Sequence, residues 1–277
     1  MDRLVDIGSL TLHVRDWGGG DAPPLFLVHG LASTHRMFDL IAEPLTRRYH
    51  VFAYDQRGHG LSDKPDDGYD FETIAGDLDR LAEALGVADR PLVVIGHSWG
   101  AYTALYYAAT RPERTAKTVL IDGGLWPVHD SLPTWAEAEV AMTPPTYRGI
   151  TVDGLKVLIR NWLGDAFRPE LEPLAESVFD LSDPNDIHAR LSPSNHMQIA
   201  RALWAFTPTD YFPQVRCPLL VVNAVPASHT SDAQMQEYAR QAESLAPDVR
   251  VVWMPDTIHD IPWHRPRELV DVLDGFL

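Results

Sequence analysis

At Leu92-Val93-Val94-Ile95 four β-branched or aliphatic residues run into Gly96-His97-Ser98-Trp99-Gly100, and the stretch from Ala101 to Ala109 then reads as a good helix former. Apolar run, G-x-S-x-G turn and helix together describe a buried strand, a sharp elbow and a helix. A serine on so tight a turn sits at positive φ, and the residues two places away must be small if strand and helix are not to clash. Gly96 and Gly100 meet that need. The hydroxyl of Ser98 is then held at the top of a sheet beside the positive end of a helix, where it can act as a nucleophile. A bare G-x-S-x-G can also be an ordinary glycine-rich turn. Here the flanking strand and helix favour the nucleophile.

The rest of the chain is consistent with an α/β architecture. Leu4–Ile7 and Leu10–Trp17 alternate apolar and polar residues around Gly8-Ser9, the pattern of a hairpin with one solvated face. Leu25–Val28 is wholly apolar, as a strand buried on both faces should be. Helical spacing follows from His35 to Tyr49, with Pro44 as a break, then a strand at His50–Tyr54 and an amphipathic helix from Phe71 to Gly86. After the elbow comes a strand at Thr118–Ile121, which ends in Asp122-Gly123-Gly124. This alternation predicts a doubly wound, mostly parallel sheet.

The pattern breaks between about 125 and 212, where no apolar strand is read. Helical segments are expected instead at about Val152–Leu163, Leu171–Leu181 and Met197–Phe206. This stretch reads as an inserted helical lid (125–212) on a core formed by 1–124 and 213–277. It carries Trp126, Trp135, Trp162 and Trp204. Strands at Cys217–Val222 and Val249–Met254, a helix from Ser231 to Leu245 and a last helix from Arg265 complete the core.

Charge and cysteine content narrow the function classes. With 23 Lys and Arg against 39 Asp and Glu the net charge is -16, which repels phosphate backbones and anionic lipid, so no nucleic acid and no membrane partner is expected. Cys217 is the single cysteine, which excludes an intrachain disulfide and paired-cysteine metal spacing. The histidines show no His-x-x-x-His or Glu-x-x-His pairing on an expected helix, so neither metal nor other cofactor is expected. The first residues lack the apolar core of a signal peptide and no run of eighteen apolar residues exists, which reads as cytoplasmic. A homodimer is left open.

Three motifs in this order, His29-Gly30 after the third strand, Asp55-x-Arg57-Gly58-His59-Gly60-x-Ser62 after the fourth, and the Gly96–Gly100 elbow, resemble the α/β-hydrolase superfamily over the whole chain. The resemblance implies an eight-stranded sheet with active-site loops at the carboxyl ends of its strands. It implies Ser98 as nucleophile and His259 as base, last in chain order, with His264 as runner-up. It places the oxyanion donors at the backbone N–H groups of Leu31 and Trp99, and gives His29, Asp55, Arg57 and His59 structural roles. The usual acid position, after the strand ending at Val222, holds no carboxylate. The choice falls between Asp122, at the end of the preceding strand, and Asp232, in a Ser-Asp context that N-capping explains; Asp122 is preferred. Gly30, Trp99 and Trp126 are the expected pocket walls.

The expected activity is hydrolysis of a carboxylic ester or lactone of a small hydrophobic molecule through an acyl-enzyme. The alternatives are C–C or amide hydrolysis or perhydrolysis on the same triad, or a non-catalytic receptor of the same fold. A serine at the elbow excludes the dehalogenase and epoxide hydrolase branches, which need a carboxylate there.

Overall fold

The computed structural model describes residues 1–226 and 233–277. β1 (Asp2–Asp6) and β2 (Thr11–Gly18) form the antiparallel hairpin that their alternation predicts. β3 (Pro24–Val28) leads into the segment expected as one kinked helix. The structure has instead a 3-10 turn at His35–Phe38 and a single-turn α1 (Ala42–Leu45). Pro44 explains the division: without an N–H it is tolerated only in a first helical turn, so α1 can begin no earlier than just before it. Next come β4 (His50–Tyr54), α2 (Phe71–Ala84), β5 (Leu92–His97), α3 (Trp99–Thr110) and β6 (Thr115–Ile121).

Between β6 and the return to the sheet lie α4 (Trp135–Met142), α5 (Val152–Leu163), α6 (Glu172–Glu176), β7 (Phe179–Asp180), β8 (His188–Ala189) and α7 (Pro193–Trp204). Three expectations change here. The helix expected over Leu171–Leu181 ends at Glu176, because the Ser177 hydroxyl bonds back to Leu174 O at 2.6 Å and competes with the helical ladder. Its continuation pairs as β7 with β8, a two-stranded ribbon in a region read as strandless. α7 starts four residues before the apolar spacing suggests, at Pro193, with Ser192 as N-cap accepting from Asn195 N. The chain then closes with β9 (Leu219–Val225), α8 (Ala233–Leu245), β10 (Val249–Pro255), α9 (Ile261–His264) and α10 (Pro266–Asp274).

Among the described residues the main sheet has eight strands in the order β1-β2-β4-β3-β5-β6-β9-β10, parallel except where β2 meets β1 and β4. β3 shows why its sequence is uninterrupted by polar residues. Phe26 and Val28 face the layer of α2, α3 and α8, whereas Leu25 and Leu27 face the layer of α1 and α10, and all four are fully buried. Each such side chain contributes roughly 1.5–3 kcal/mol by leaving water. α3 is apolar all round because it lies between the sheet and α2. No described helix is long and apolar enough to cross a membrane.

Candidate active site

The parallel strands all point one way, so the segments after β3, β4, β5, β6 and β10 gather along one edge of the sheet. Ser98 stands after β5 at φ 55° and ψ -123°, the strained turn expected of it, and its N–H is held by Ile121 O at 2.9 Å. The two flanking glycines are demanded by close approach. A Cβ on Gly96 would lie 2.0 Å from Gly100 O, and one on Gly100 would lie 2.0 Å from Val28 O.

Asp122 follows β6 with φ 45°, uncommon for a residue with a side chain. Its N–H donates to Val222 O at 2.8 Å, its Oδ1 accepts from Ala224 N at 2.8 Å, and its Oδ2 lies 2.5 Å from His259 Nδ1. Because a carboxylate accepts, the proton sits on Nδ1, and Nε2 of His259 is left with a free lone pair. The His259 side chain is 52% exposed. Desolvation pulls its pKa down, but the hydrogen bond and charge of Asp122, helped by the charge of Asp260, outweigh this and hold it above the ordinary 6.5. The structure thus joins His259 to Asp122. The other acid weighed, Asp232, lies outside the described residues. His264 is occupied elsewhere, its Nδ1 accepting from Ile258 N at 3.1 Å.

The loop after β3 is shaped by two histidines whose tautomers follow from their partners. His29 Nδ1 donates to Gly30 O at 2.7 Å and its Nε2 accepts from Gln56 N at 3.0 Å. The first bond fixes the Gly30–Leu31 peptide plane, and so the direction of Leu31 N–H. His59 Nδ1 donates to Arg57 O and its Nε2 accepts from Ala32 N at 3.2 Å, supporting Ala32 at φ 55°. Burial pushes both rings down, His29 to about 4 and His59 to about 3, so both stay neutral and keep these acceptors. The His59 ring stacks on Trp99, whose own N–H heads α3, where no intrahelical acceptor exists. The direction of the Leu31 amide is therefore set by two neutral histidines, and that of the Trp99 amide by the start of α3.

The turn that carries His59 is anchored by a buried, bidentate pair, Arg57 to Asp77 on α2 at 2.5 and 2.9 Å. His13, His35 and Asp55 lie close enough together to hold a metal ion. Each Asp55 oxygen, however, already accepts two N–H groups: Oδ1 from His35 N and Nδ1, Oδ2 from His13 Nδ1 and Leu61 N. The cluster is explained by those four bonds.

A cavity of about 690 Å³ opens between the Leu31-Ala32-Ser33 loop and the inserted segment, walled by Ile150, Leu155, Leu158, Ile159 and Trp162. Gly30, Trp99 and Trp126 do not line this cavity, and neither do Ser98 and His259. Gly30 is buried beside Ser98, and Trp126 packs edge-on against Tyr102, whose hydroxyl donates to Trp126 O at 2.7 Å. The α5 wall was not read from the sequence, although a signal exists. Val157, Leu158 and Trp162 leave α5 with more apolar residues than one buried face uses, and all three are partly exposed.

The model of the "Alpha/beta hydrolase family" matches residues 25–272 of this chain. The 2-(acetamidomethylene)succinate hydrolase of Mesorhizobium japonicum is 30% identical over 100% of the chain and 95% of that protein. The N-formylmaleamate deformylase of Pseudomonas putida is 28% identical over 93% and 87%. Among solved structures, that of E-2-(acetamidomethylene)succinate hydrolase superposes with a TM-score of 0.81 at 26% identity, covering 100% of this chain and 98% of the other.

Proposed function

As the chain belongs to the alpha/beta hydrolase family, we propose that it is a cofactor-independent serine hydrolase that cleaves a carboxylic ester or lactone of a small hydrophobic molecule through an acyl-enzyme. The observation that carries this reading is the 2.5 Å contact between Asp122 Oδ2 and His259 Nδ1, which leaves His259 Nε2 as a base on the edge of the sheet where Ser98 stands. Ser98 Oγ attacks the carbonyl carbon as its proton passes to His259 Nε2. The oxyanion forms between the N–H groups of Leu31 and Trp99, each donor worth about 3 kcal/mol in the transition state. Collapse expels the leaving group, protonated by His259. Water then attacks the acyl carbon as its proton passes to His259, and collapse releases the acid while His259 returns that proton to Ser98 Oγ. The cavity touches the site through the Leu31-Ala32-Ser33 loop and not through Ser98 or His259, and its mostly apolar lining, with Arg148 beside it, supports a substrate whose hydrophobic part extends from that loop.

A second reading, amide hydrolysis on the same triad, is favoured by the names of the two long-range relatives, which are hydrolases of an acetamido and an N-formyl compound. A panel of p-nitrophenyl esters, lactones and N-acyl amides, run with wild type and Ser98→Ala, tests both. Ester or lactone turnover lost in Ser98→Ala is expected. Turnover of amides alone overturns the ester reading in favour of the second. A folded wild type that neither turns over the panel nor is labelled by a fluorophosphonate overturns the serine mechanism and leaves a ligand receptor.

A further inference from the structure

His97 stands between the first glycine of the elbow and the nucleophile, and the proton relay does not use it. Its ring is 2% exposed and lies against the ring of His259, with centroids 4.9 Å apart and planes at 42°. His97 Nε2 is 3.0 Å from the main-chain oxygen of His259. A carbonyl can only accept, so Nε2 carries the proton and the ring is a donor.

The significance of that bond follows from how His259 is carried. It lies in the short connection between β10, the last strand of the sheet, and α9. The other bonds along this connection are short-range or reach only the neighbouring strand: Thr257 N to Val225 O at 3.2 Å, Ile258 N to His264 Nδ1 at 3.1 Å, and Ile261 N to His259 O at 2.8 Å. Two bonds come from the centre of the sheet. Asp122, at the end of β6, grips the His259 ring, and His97, at the end of β5, grips its main chain. The ring bond sets tautomer and rotation. The main-chain bond sets how far the base stands from the residue that follows His97, which is Ser98.

We propose that His97 is a positioning residue whose Nε2–H ties the His259 main chain to the elbow, so that nucleophile and base are held in one register by adjacent residues of a single strand end. The assignment rests on the serine hydrolase reading above. Burial and the neighbouring His259 push the His97 pKa down to about 3, so the ring remains a neutral single donor while the base gains and loses its proton.

The test compares His97→Gln, whose amide reaches about as far as Nε2 and can donate, with His97→Leu, which fills similar space without a donor. His97→Asn is a polar control too short to reach the carbonyl. The readouts are thermal midpoint, the rate at which a fluorophosphonate labels Ser98, and kcat and KM on the best ester of the panel. His97→Leu and His97→Asn should lower kcat and labelling about 10- to 100-fold with KM within about threefold, as for a displaced base. His97→Gln should return kcat to within about threefold of wild type. Folded His97→Leu or His97→Asn with wild-type kcat overturns the proposal. So does His97→Gln that melts like wild type yet is as slow as His97→Asn. A wild type that is not labelled overturns the underlying serine mechanism and this assignment with it, whereas labelled wild type with indifferent variants overturns the assignment alone.

Discussion

His259 and Asp122 are 137 residues apart in sequence, yet His259 Nδ1 lies 2.5 Å from Asp122 Oδ2, across the top of the intervening strand β9. The carboxylate is held on its other side by Ala224 N, from β9 itself. The Asp122 carboxylate is therefore clamped by the strand that separates it from His259, and its direction is fixed.

Asp122→Asn can keep the Ala224 bond through its remaining carbonyl oxygen, but the amide offers N–H where Nδ1 needs an acceptor. The imidazole loses its orientation and tautomer, and kcat should fall by about 10⁴-fold with the fold retained. Asp232→Asn should leave turnover within about twofold, since a side chain outside the relay carries little of the barrier. Steady-state kinetics with circular dichroism check both, and the reverse ranking would move the acid to Asp232.

In the proposed mechanism His259 acts as base only when deprotonated. Desolvation lowers its pKa, but the Asp122 bond and the charges of Asp122 and Asp260 raise it beyond 6.5. The acid limb of kcat/KM should then have its midpoint above pH 6.5. Asp260→Asn removes one of those charges and should move the midpoint down. A pH–rate profile of the two proteins decides it, and an unmoved midpoint would detach Asp260 from the base.

Asp260 is 3% exposed, and burial, opposed by the charge of His259, raises its pKa to about 6 from an ordinary 3.8. A raised carboxyl favours the fold while it is protonated. Its contribution is complete below the unfolded value and is lost as pH rises through about 6, a loss of about 3 kcal/mol at most. Asp260→Asn should therefore be the more stable protein at pH 8, with the gap closing toward pH 4. Urea unfolding at the two pH values measures it.

Gly30 faces Ser98 so closely that an added Cβ would lie 2.8 Å from Ser98 Cβ and 3.3 Å from Ser98 Oγ. Gly30→Ala should displace the reacting hydroxyl and cost about 100-fold or more in kcat, since displacements of this size at the reacting atom are worth that much. The melting temperature should change little by comparison. Phosphonate labelling rates separate the two effects, and near wild-type labelling would show that the loop yields.

Much of this was open to reading because it depends on local chemistry. The elbow is a strand, a strained serine and two glycines with no room for a methyl, and those requirements are written within nine residues. The wholly apolar β3 announces a strand covered on both faces. The family resemblance pointed to Asp122 in preference to Asp232, because the end of β9, Asn223-Ala224-Val225, and Pro226 after it carry no carboxylate. The division of the 125–212 segment was harder. The end of α6 depends on one hydroxyl of Ser177 turning back, and the start of α7 on Ser192-Pro193, a capping signal that apolar spacing alone passes over.

What the sequence determined by itself was the α/β order of elements and the candidates proposed as nucleophile and base, because strand, turn and helix signals are short-range and the parallel arrangement then sends every loop after a strand to the same edge. Only the tertiary structure decided distances among those loops: that His259 meets Asp122, that His97 reaches the His259 main chain, that two neutral histidines orient the Leu31 loop, and that a cavity opens between that loop and α5. These are contacts between segments far apart in the chain. Their geometry is set by how twisted strands and packed layers bring the segments together, which no local pattern records.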